Sequence, residues 1–284
     1  MPTGLSIHVG LNKVDPDAYD GWDGKLLACE NDARDMAAVA RAGGFGDTVI
    51  LTGDGTVENI TGELRKAAGR LKSGDILLFT YSGHGGQMDN VVGSDDEPDR
   101  LDETLVFFDR QFLDDELYRE FGRFEWGVRI VALLDSCHSG SAIESLQGLL
   151  TPEALESQFQ TRDPGQVEAA SRLMPLLEQQ QNFARDRAFY EGLQRELKEG
   201  NGSGPAPGAV LIAACQDNQV ASDGDVNGLF TANLLKVWGE GAFQGDYRTF
   251  HRDIQKRMPA IQSPNFYTTG SPSDGFLKQK PFTI

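Results

Sequence analysis

The sequence predicts an α/β fold, a mostly parallel β-sheet with helices on both faces. Two observations predict it: apolar, β-branched runs of strand length recur along the chain, and helical patterns alternate with them. Leu5–Val9 reads as the first strand and Asn31–Arg41 as a helix. Thr48–Leu51 reads as a strand, and Val57–Leu71 as an amphipathic helix. Asp75–Tyr81 is a strongly apolar strand, followed beyond an acidic stretch by a short strand at Thr104–Phe108 and a helix at Asp114–Phe121. Arg129–Asp135 and Ala209–Ala214 are two more buried-type strands. Helices follow at Thr231–Trp238 and Tyr247–Met258, and a last strand is expected at Gly275–Phe282.

Residues 145–207 break the rhythm. They are rich in Gln, Glu, Arg and Leu, read as two or three surface helices, and close with Gly200-Asn-Gly-Ser-Gly-Pro-Ala-Pro-Gly208. The expectation is one domain over residues 1–284 with a helical insertion between two core strands.

Composition bounds the function. The 284 residues carry 26 Lys+Arg against 43 Asp+Glu, a formal net charge of −17, and 39% are hydrophobic. That is enough apolar residue for a core. The acidic balance argues against nucleic acid, whose phosphates need a basic face, and favours basic peptide side chains or hard cations such as calcium. No apolar run approaches the roughly 20 residues of a membrane helix. The first residues lack the basic and apolar regions of a secretory signal, and Cys29, Cys137 and Cys215 are an odd set of thiols. A cytoplasmic protein with reduced cysteines is the expectation.

Two strand ends carry chemistry. Phe79-Thr-Tyr-Ser-Gly-His84-Gly-Gly86 runs an apolar strand into a glycine-flanked histidine. Val131-Ala-Leu-Leu-Asp-Ser-Cys137-His-Ser-Gly140 runs another into a cysteine. In a parallel sheet both segments emerge at the carboxyl edge, where open α/β sheets bind ligands. A thiol needs a base to become a nucleophile, so His84 would deprotonate Cys137 and later protonate the leaving amine. The backbone N–H groups of Gly85 and Cys137 are candidates for an oxyanion hole. A zinc site at Cys137, His138 and His84 has no supporting ligand spacing. Asp135 lies two residues before Cys137, and Asp32 follows the first strand at the same edge. Both could receive a basic side chain, or could instead fix a loop and a helix N-terminus. His8 reads as structural, His251 has no evident partner, and Cys215 reads as a packed strand-end residue.

Tyr81-Ser-Gly-His-Gly85 and Asp135-Ser-Cys-His-Ser-Gly140 resemble the paired motifs of the metacaspases, of the prokaryotic type, within the caspase-like cysteine peptidases. Cys29-Glu-Asn-Asp-Ala33, Asp102-Glu-Thr-Leu105, Asp114-Asp-Glu-Leu117, Ala214-Cys-Gln-Asp-Asn-Gln219 and Gly228-Leu-Phe-Thr231 match in the same order. The resemblance covers most of residues 5–240 outside the insertion. It implies a caspase-like α/β fold and a Cys137–His84 dyad that cuts after Arg or Lys. By the same resemblance Asp32 and Asp135 floor the pocket, Cys29 and Ser82 line it, and Asp217 lines a substrate wall.

The resemblance also implies calcium at Asp102, Asp114, Asp115 and Glu144, although Glu144 stands where the family often has Asp. The other reading of the acidic pair Asp114 and Asp115 is a helix N-terminus. No cofactor is required for the chemistry itself. Arg162, Arg172, Arg185, Arg187, Arg195 and Lys198 are expected on exposed helices of the insertion, where self-cleavage or another protease could open a zymogen. A passive surface elaboration is the alternative. Two other functions stay open: a caspase-like scaffold that binds partners without catalysis, and a thiol peptidase directed at Asn or Asp. Intact His84 and Cys137 weigh against the first, and the acidic pair Asp32 and Asp135 against the second.

Overall fold

A computed structural model describes residues 2–91, 101–137, 171–200, 206–215, 219 and 221–284. The main sheet has six strands: β1 (Gly4–Gly10), β2 (Gly46–Leu51), β3 (Ile76–Ser82), β7 (Arg129–Asp135), β8 (Gly208–Ala213) and β9 (Asn265–Thr269). Their order is β2-β1-β3-β7-β8-β9, with β9 antiparallel to β8 and every other pairing parallel. Side chains alternate faces along each strand. Leu77, Phe79 and Tyr81 of β3, with Ile130, Ala132 and Leu134 of β7, join one apolar core. Ile76 and Leu78, with Val131 and Leu133, join the other.

Helices cover both faces. The helix α2 (Val57–Arg70) sends Ile60 and Leu64 into the first core, and α3 (Asp114–Phe121) adds Leu117 and Phe121. On the other face, α1 (Cys29–Ala42) contributes Met36 and Ala40, α6 (Leu229–Trp238) Phe230 and Leu234, and α7 (Tyr247–Gln255) Phe250 and Ile254. Two of these helices start at side-chain caps. Thr56 Oγ1 accepts from Asn59 N–H, and an Asp246 carboxylate oxygen accepts from Thr249 N–H.

A second sheet grows directly from the end of β3. It is antiparallel, in the order β4 (Gly85–Asp89), β5 (Leu101–Val106), β6 (Gln111–Leu113). The described part of the insertion packs on it as α4 (Leu176–Arg185) and α5 (Arg187–Gly200). Phe183, Tyr190, Leu193 and Leu197 form an apolar cluster with Met88 and Leu113. Gln179 Oε1 accepts from Gln87 N–H, and Gln111 Nε2 donates to Asn182 Oδ1. Residues 145–170 and 201–205 of the expected insertion and its linker lie outside the described residues.

Three expectations change. The last strand is Asn265–Thr269, and within Gly275–Phe282 the chain instead makes α8 (Asp274–Lys278), which Ser273 Oγ caps by accepting from Phe276 N–H. The strand expected at Thr104–Phe108 runs from Leu101 to Val106, since Phe107 and Phe108 form the turn into β6. The helix begun at Tyr247 ends at Gln255 rather than Met258.

Candidate active site

Ser82 and Asp135 are register partners at the carboxyl ends of β3 and β7, so the two sequence motifs emerge side by side. The chain after β3 runs so close to the chain after β7 that a Cβ on Gly85 would lie 1.7 Å from the Cys137 carbonyl oxygen. Glycine is required there by contact, not by backbone angle. His84 and Cys137 are thereby brought to one mouth of the sheet.

The His84 ring packs against Trp22, centroids 4.9 Å apart, and its Nε2 lies 2.9 Å from the Gly24 carbonyl. A carbonyl only accepts, so Nε2 carries the proton and Nδ1 keeps a lone pair. Nδ1 is buried with no hydrogen-bond partner among the described residues. Burial pushes the imidazole down to about 4, so it is neutral near pH 7. Cys137 Sγ accepts from Ala221 N–H at 3.0 Å, and Cys215 Sγ, close enough to act on its thiol, points to the Ser136 carbonyl. Burial, then that second thiol, push the Cys137 thiol well above its usual range. The pair rests uncharged.

Beside it lies a pocket with opposite character. Asp32 comes from the first turn of α1, Asp135 from the end of β7, and Asp223 from the loop between β8 and α6. The pocket contains Arg172, whose side chain is 0% exposed. Its Nη1 donates to Ser82 Oγ at 2.9 Å and to the Asp135 carbonyl at 2.8 Å, and lies 2.9 Å from Asp135 Oδ1. Its Nη2 donates to Asp32 Oδ2 at 2.8 Å and to Asp223 Oδ1 at 2.9 Å. The carboxylates have further donors. Ser82 Oγ and Gly228 N–H donate to Asp32, Thr231 N–H and Oγ1 donate to Asp135, and Leu27 N–H donates to Asp223. Burial pushes Asp135 up to about 6 against the pull of Arg172. Burial also opposes the charge on Arg172, but Asp135, Asp32 and Asp223 outweigh it and hold the guanidinium ionised.

The backbone around Arg172 is extended. Ser171 bridges Ser222 antiparallel and Leu173 bridges Gly85 in parallel. Arg172 N–H donates to the Ala221 carbonyl at 3.0 Å, Gly85 N–H donates to the Arg172 carbonyl at 2.9 Å, and Met174 N–H donates to the Gly85 carbonyl at 2.9 Å. A strand of the chain's own insertion thus lies across the mouth. Its basic side chain sits in the acidic pocket, and its carbonyl oxygen rests on one of the two N–H groups nominated for an oxyanion hole. This corrects the expectation for Arg172, which is not on an exposed helix; Arg187 and Arg195 are, at 59% and 60% side-chain exposure.

Of the residues nominated from sequence, the structure brings His84, Gly85, Cys137, Ser82, Asp32 and Asp135 together at this edge. Cys29 is buried at the start of α1, close enough for Arg172, Asp223 and Asp32 to act on its thiol. Asp217, Glu144, Arg162 and His138 lie outside the described residues. Cys215 is buried just past β8, His8 Nδ1 meets Thr80 Oγ1, and His251 Nε2 meets the Pro264 carbonyl. Asp102 accepts from Asn90 Nδ2 and Gln194 Nε2. Among the described residues no three acidic, His or Cys side chains gather where they could hold a metal ion. Sequence reasoning missed Asp223, for which the run Ser222-Asp-Gly-Asp-Val226 holds no signal that separates it from Asp225.

The family model described as the caspase domain matches residues 14–279. The chain belongs to the caspase-domain peptidase family. Metacaspase-1 of Coccidioides immitis is 31% identical over 248 residues, covering 80% of this chain and 52% of that protein. Metacaspase-1 of Schizosaccharomyces pombe is 30% identical over 256 residues, covering 82% and 58%. The chain therefore spans little more than half the length of these relatives. The crystal structure of protein GSU0716 from Geobacter sulfurreducens superposes with a TM-score of 0.84 at 42% identity, covering 100% of this chain and 99% of that one. Caspase-1 from Spodoptera frugiperda, at 12% identity and a TM-score of 0.56 over 95% of this chain, shares the fold of this caspase-domain chain.

Proposed function

We propose that this caspase-domain chain is a cysteine endopeptidase that hydrolyses peptide bonds after Arg or Lys and is made in a latent form. The observation that carries the reading is Arg172, an arginine fully enclosed by Asp32, Asp135 and Asp223 while its carbonyl accepts from Gly85 N–H. That is the pose a substrate needs. An Asn- or Asp-directed enzyme would bring no cation to neutralise these carboxylates.

The chemistry follows from the same atoms. Cys137 Sγ turns from Ala221 towards the carbonyl carbon and gives its proton to His84 Nδ1. The thiolate adds to that carbon, and the oxyanion accepts hydrogen bonds from Gly85 and Cys137 N–H. Collapse breaks the C–N bond, and the imidazolium protonates the departing amine. Water, deprotonated by the same imidazole, adds to the thioester, and collapse returns the thiol and a carboxylic acid.

The bond presented in the latent chain is Arg172–Leu173, so its cleavage in the chain itself is the proposed activating step. No step above passes through the calcium expected at Asp102, Asp114, Asp115 and Glu144; Asp102 accepts from two side-chain amides, and Glu144 lies outside the described residues. The test is cleavage of peptide reporters with Arg, Lys, Asp or Asn before the scissile bond, with and without calcium, beside Cys137→Ala. Cleavage of Arg and Lys reporters only, abolished in Cys137→Ala, is expected. Cleavage of the Asp or Asn reporters, or activity surviving in Cys137→Ala, would overturn the reading. Fragments 1–172 and 173–284 should accumulate in the wild type and not in Arg172→Gln.

A further inference from the structure

The pocket closes on Arg172 with three carboxylates, and the third is not where a two-acid pocket for any basic side chain needs one. We infer that Asp223 is a specificity-determining residue that makes this pocket favour arginine over lysine; the inference rests on reading the pocket as the site for the residue before the cut. The division of labour around the guanidinium carries it. Nη1 is satisfied by Ser82 Oγ and the Asp135 carbonyl, with Asp135 Oδ1 at 2.9 Å. Nη2 is satisfied by Asp32 Oδ2 and Asp223 Oδ1. Nε is buried without a hydrogen-bond partner among the described residues. Recognition therefore lies wholly in the two terminal nitrogens, approached from both sides of the fork.

A lysine ammonium is one point with three donors, whereas the guanidinium fork spreads its donors over two. An ammonium placed between Asp32 and Asp135 leaves Asp223 without its cation. Asp223 cannot follow the smaller group, because its Oδ2 accepts from Leu27 N–H at 2.7 Å and its side chain is 3% exposed. A buried carboxylate deprived of its charge-assisted partner opposes binding. The residue also comes from the chain after Leu173, so cleavage there leaves the pocket built from both fragments.

The experiment measures kcat/KM for two reporters differing only in Arg or Lys before the scissile bond, on the full-length wild type and on Asp223→Asn after incubation for self-processing. The wild type should favour Arg by about tenfold or more, the worth of one charge-assisted hydrogen bond. Asp223→Asn should lower the Arg value by a similar factor, change the Lys value by less than about threefold, and so collapse the ratio. Both reporters compete for one preparation, so the ratio is independent of the fraction folded or processed. A wild type that cuts both equally, or a variant that keeps the wild-type ratio, overturns the inference. If Asp223→Asn is silent, Asp223→Glu supplies the ratio, because its displaced charge should also erode the Arg preference and an unchanged ratio counts against it. A wild type that cuts neither reporter defeats the reading of the pocket instead.

Discussion

The His84–Cys137 pair and the acidic pocket share one sheet edge, yet burial drives them to opposite electrical states. At the first, burial leaves a neutral imidazole and a neutral thiol, because neither is offered a compensating charge. In the pocket, equal burial holds an arginine ionised among three carboxylates, because each charge meets an opposite one at hydrogen-bond distance. Burial alone therefore does not decide ionisation; the partner does. In the intact chain Arg172 serves the pocket as that partner.

The comparison can be broken most directly at Arg172. Arg172→Gln should destabilise the intact chain by about 3–5 kcal/mol, since it strands buried carboxylates. Urea unfolding of that variant in a Cys137→Ala background, where no cleavage intervenes, measures it. A loss below about 1 kcal/mol would mean that the pocket takes up protons or water instead. At the junction of the two regions, Gly85→Ala should cost about 3 kcal/mol, because its Cβ meets the Cys137 carbonyl in the chain after β7. Thermal unfolding and reporter turnover should both fall; an unaffected variant would show that the two loops can separate. On the pocket side alone, Thr231→Val removes the hydroxyl that donates to Asp135 Oδ2 at 2.6 Å. A loss of about 1–2 kcal/mol is expected, with Arg reporters affected and the thiol's reaction with a small alkylating agent unchanged.

The remaining prediction concerns the neutrality of His84. His84 is held near 4 in the folded chain against 6.5 for an unperturbed imidazole, so the unfolded chain binds more protons between these values. Its contribution to stability is present above about pH 6.5 and lost as pH falls towards 4. His8, held near 3, behaves alike, whereas Asp135, raised to about 6, acts in the opposite sense between about pH 6 and 4. His84→Asn should therefore flatten the stability-against-pH curve by about one proton between pH 6.5 and 4. Denaturant midpoints of wild type and variant across that range check it, and parallel curves would show that the imidazole is charged when buried.

Some of this was readable before any coordinates. The strands β1, β3, β7 and β8 were legible within a residue or two, because buried parallel strands are runs of apolar and β-branched residues that no other structure favours as well. The strand β4 was not, since Gly85-Gly-Gln-Met-Asp89 carries two glycines and no β-branched residue; its strand state comes from pairing with β5. The carboxylates Asp32 and Asp135 stood out by their places at strand and helix ends. Asp223 did not, because an acid in a polar turn looks the same whether it faces water or a guanidinium. Arg172 was one of six basic residues in a stretch with no periodicity to distinguish it.

The sequence by itself determined the fold class, the two strand-end motifs with their histidine and cysteine, and the family to which they point, because these rest on local patterns that each segment carries alone. Only the tertiary structure decided that Arg172 enters the pocket, that Asp223 completes it, and that the thiol rests against Ala221. Those facts depend on segments far apart in the chain meeting at one edge. Charge pairing in a buried site is settled by distance, and distance across the fold is not written in any single stretch of residues.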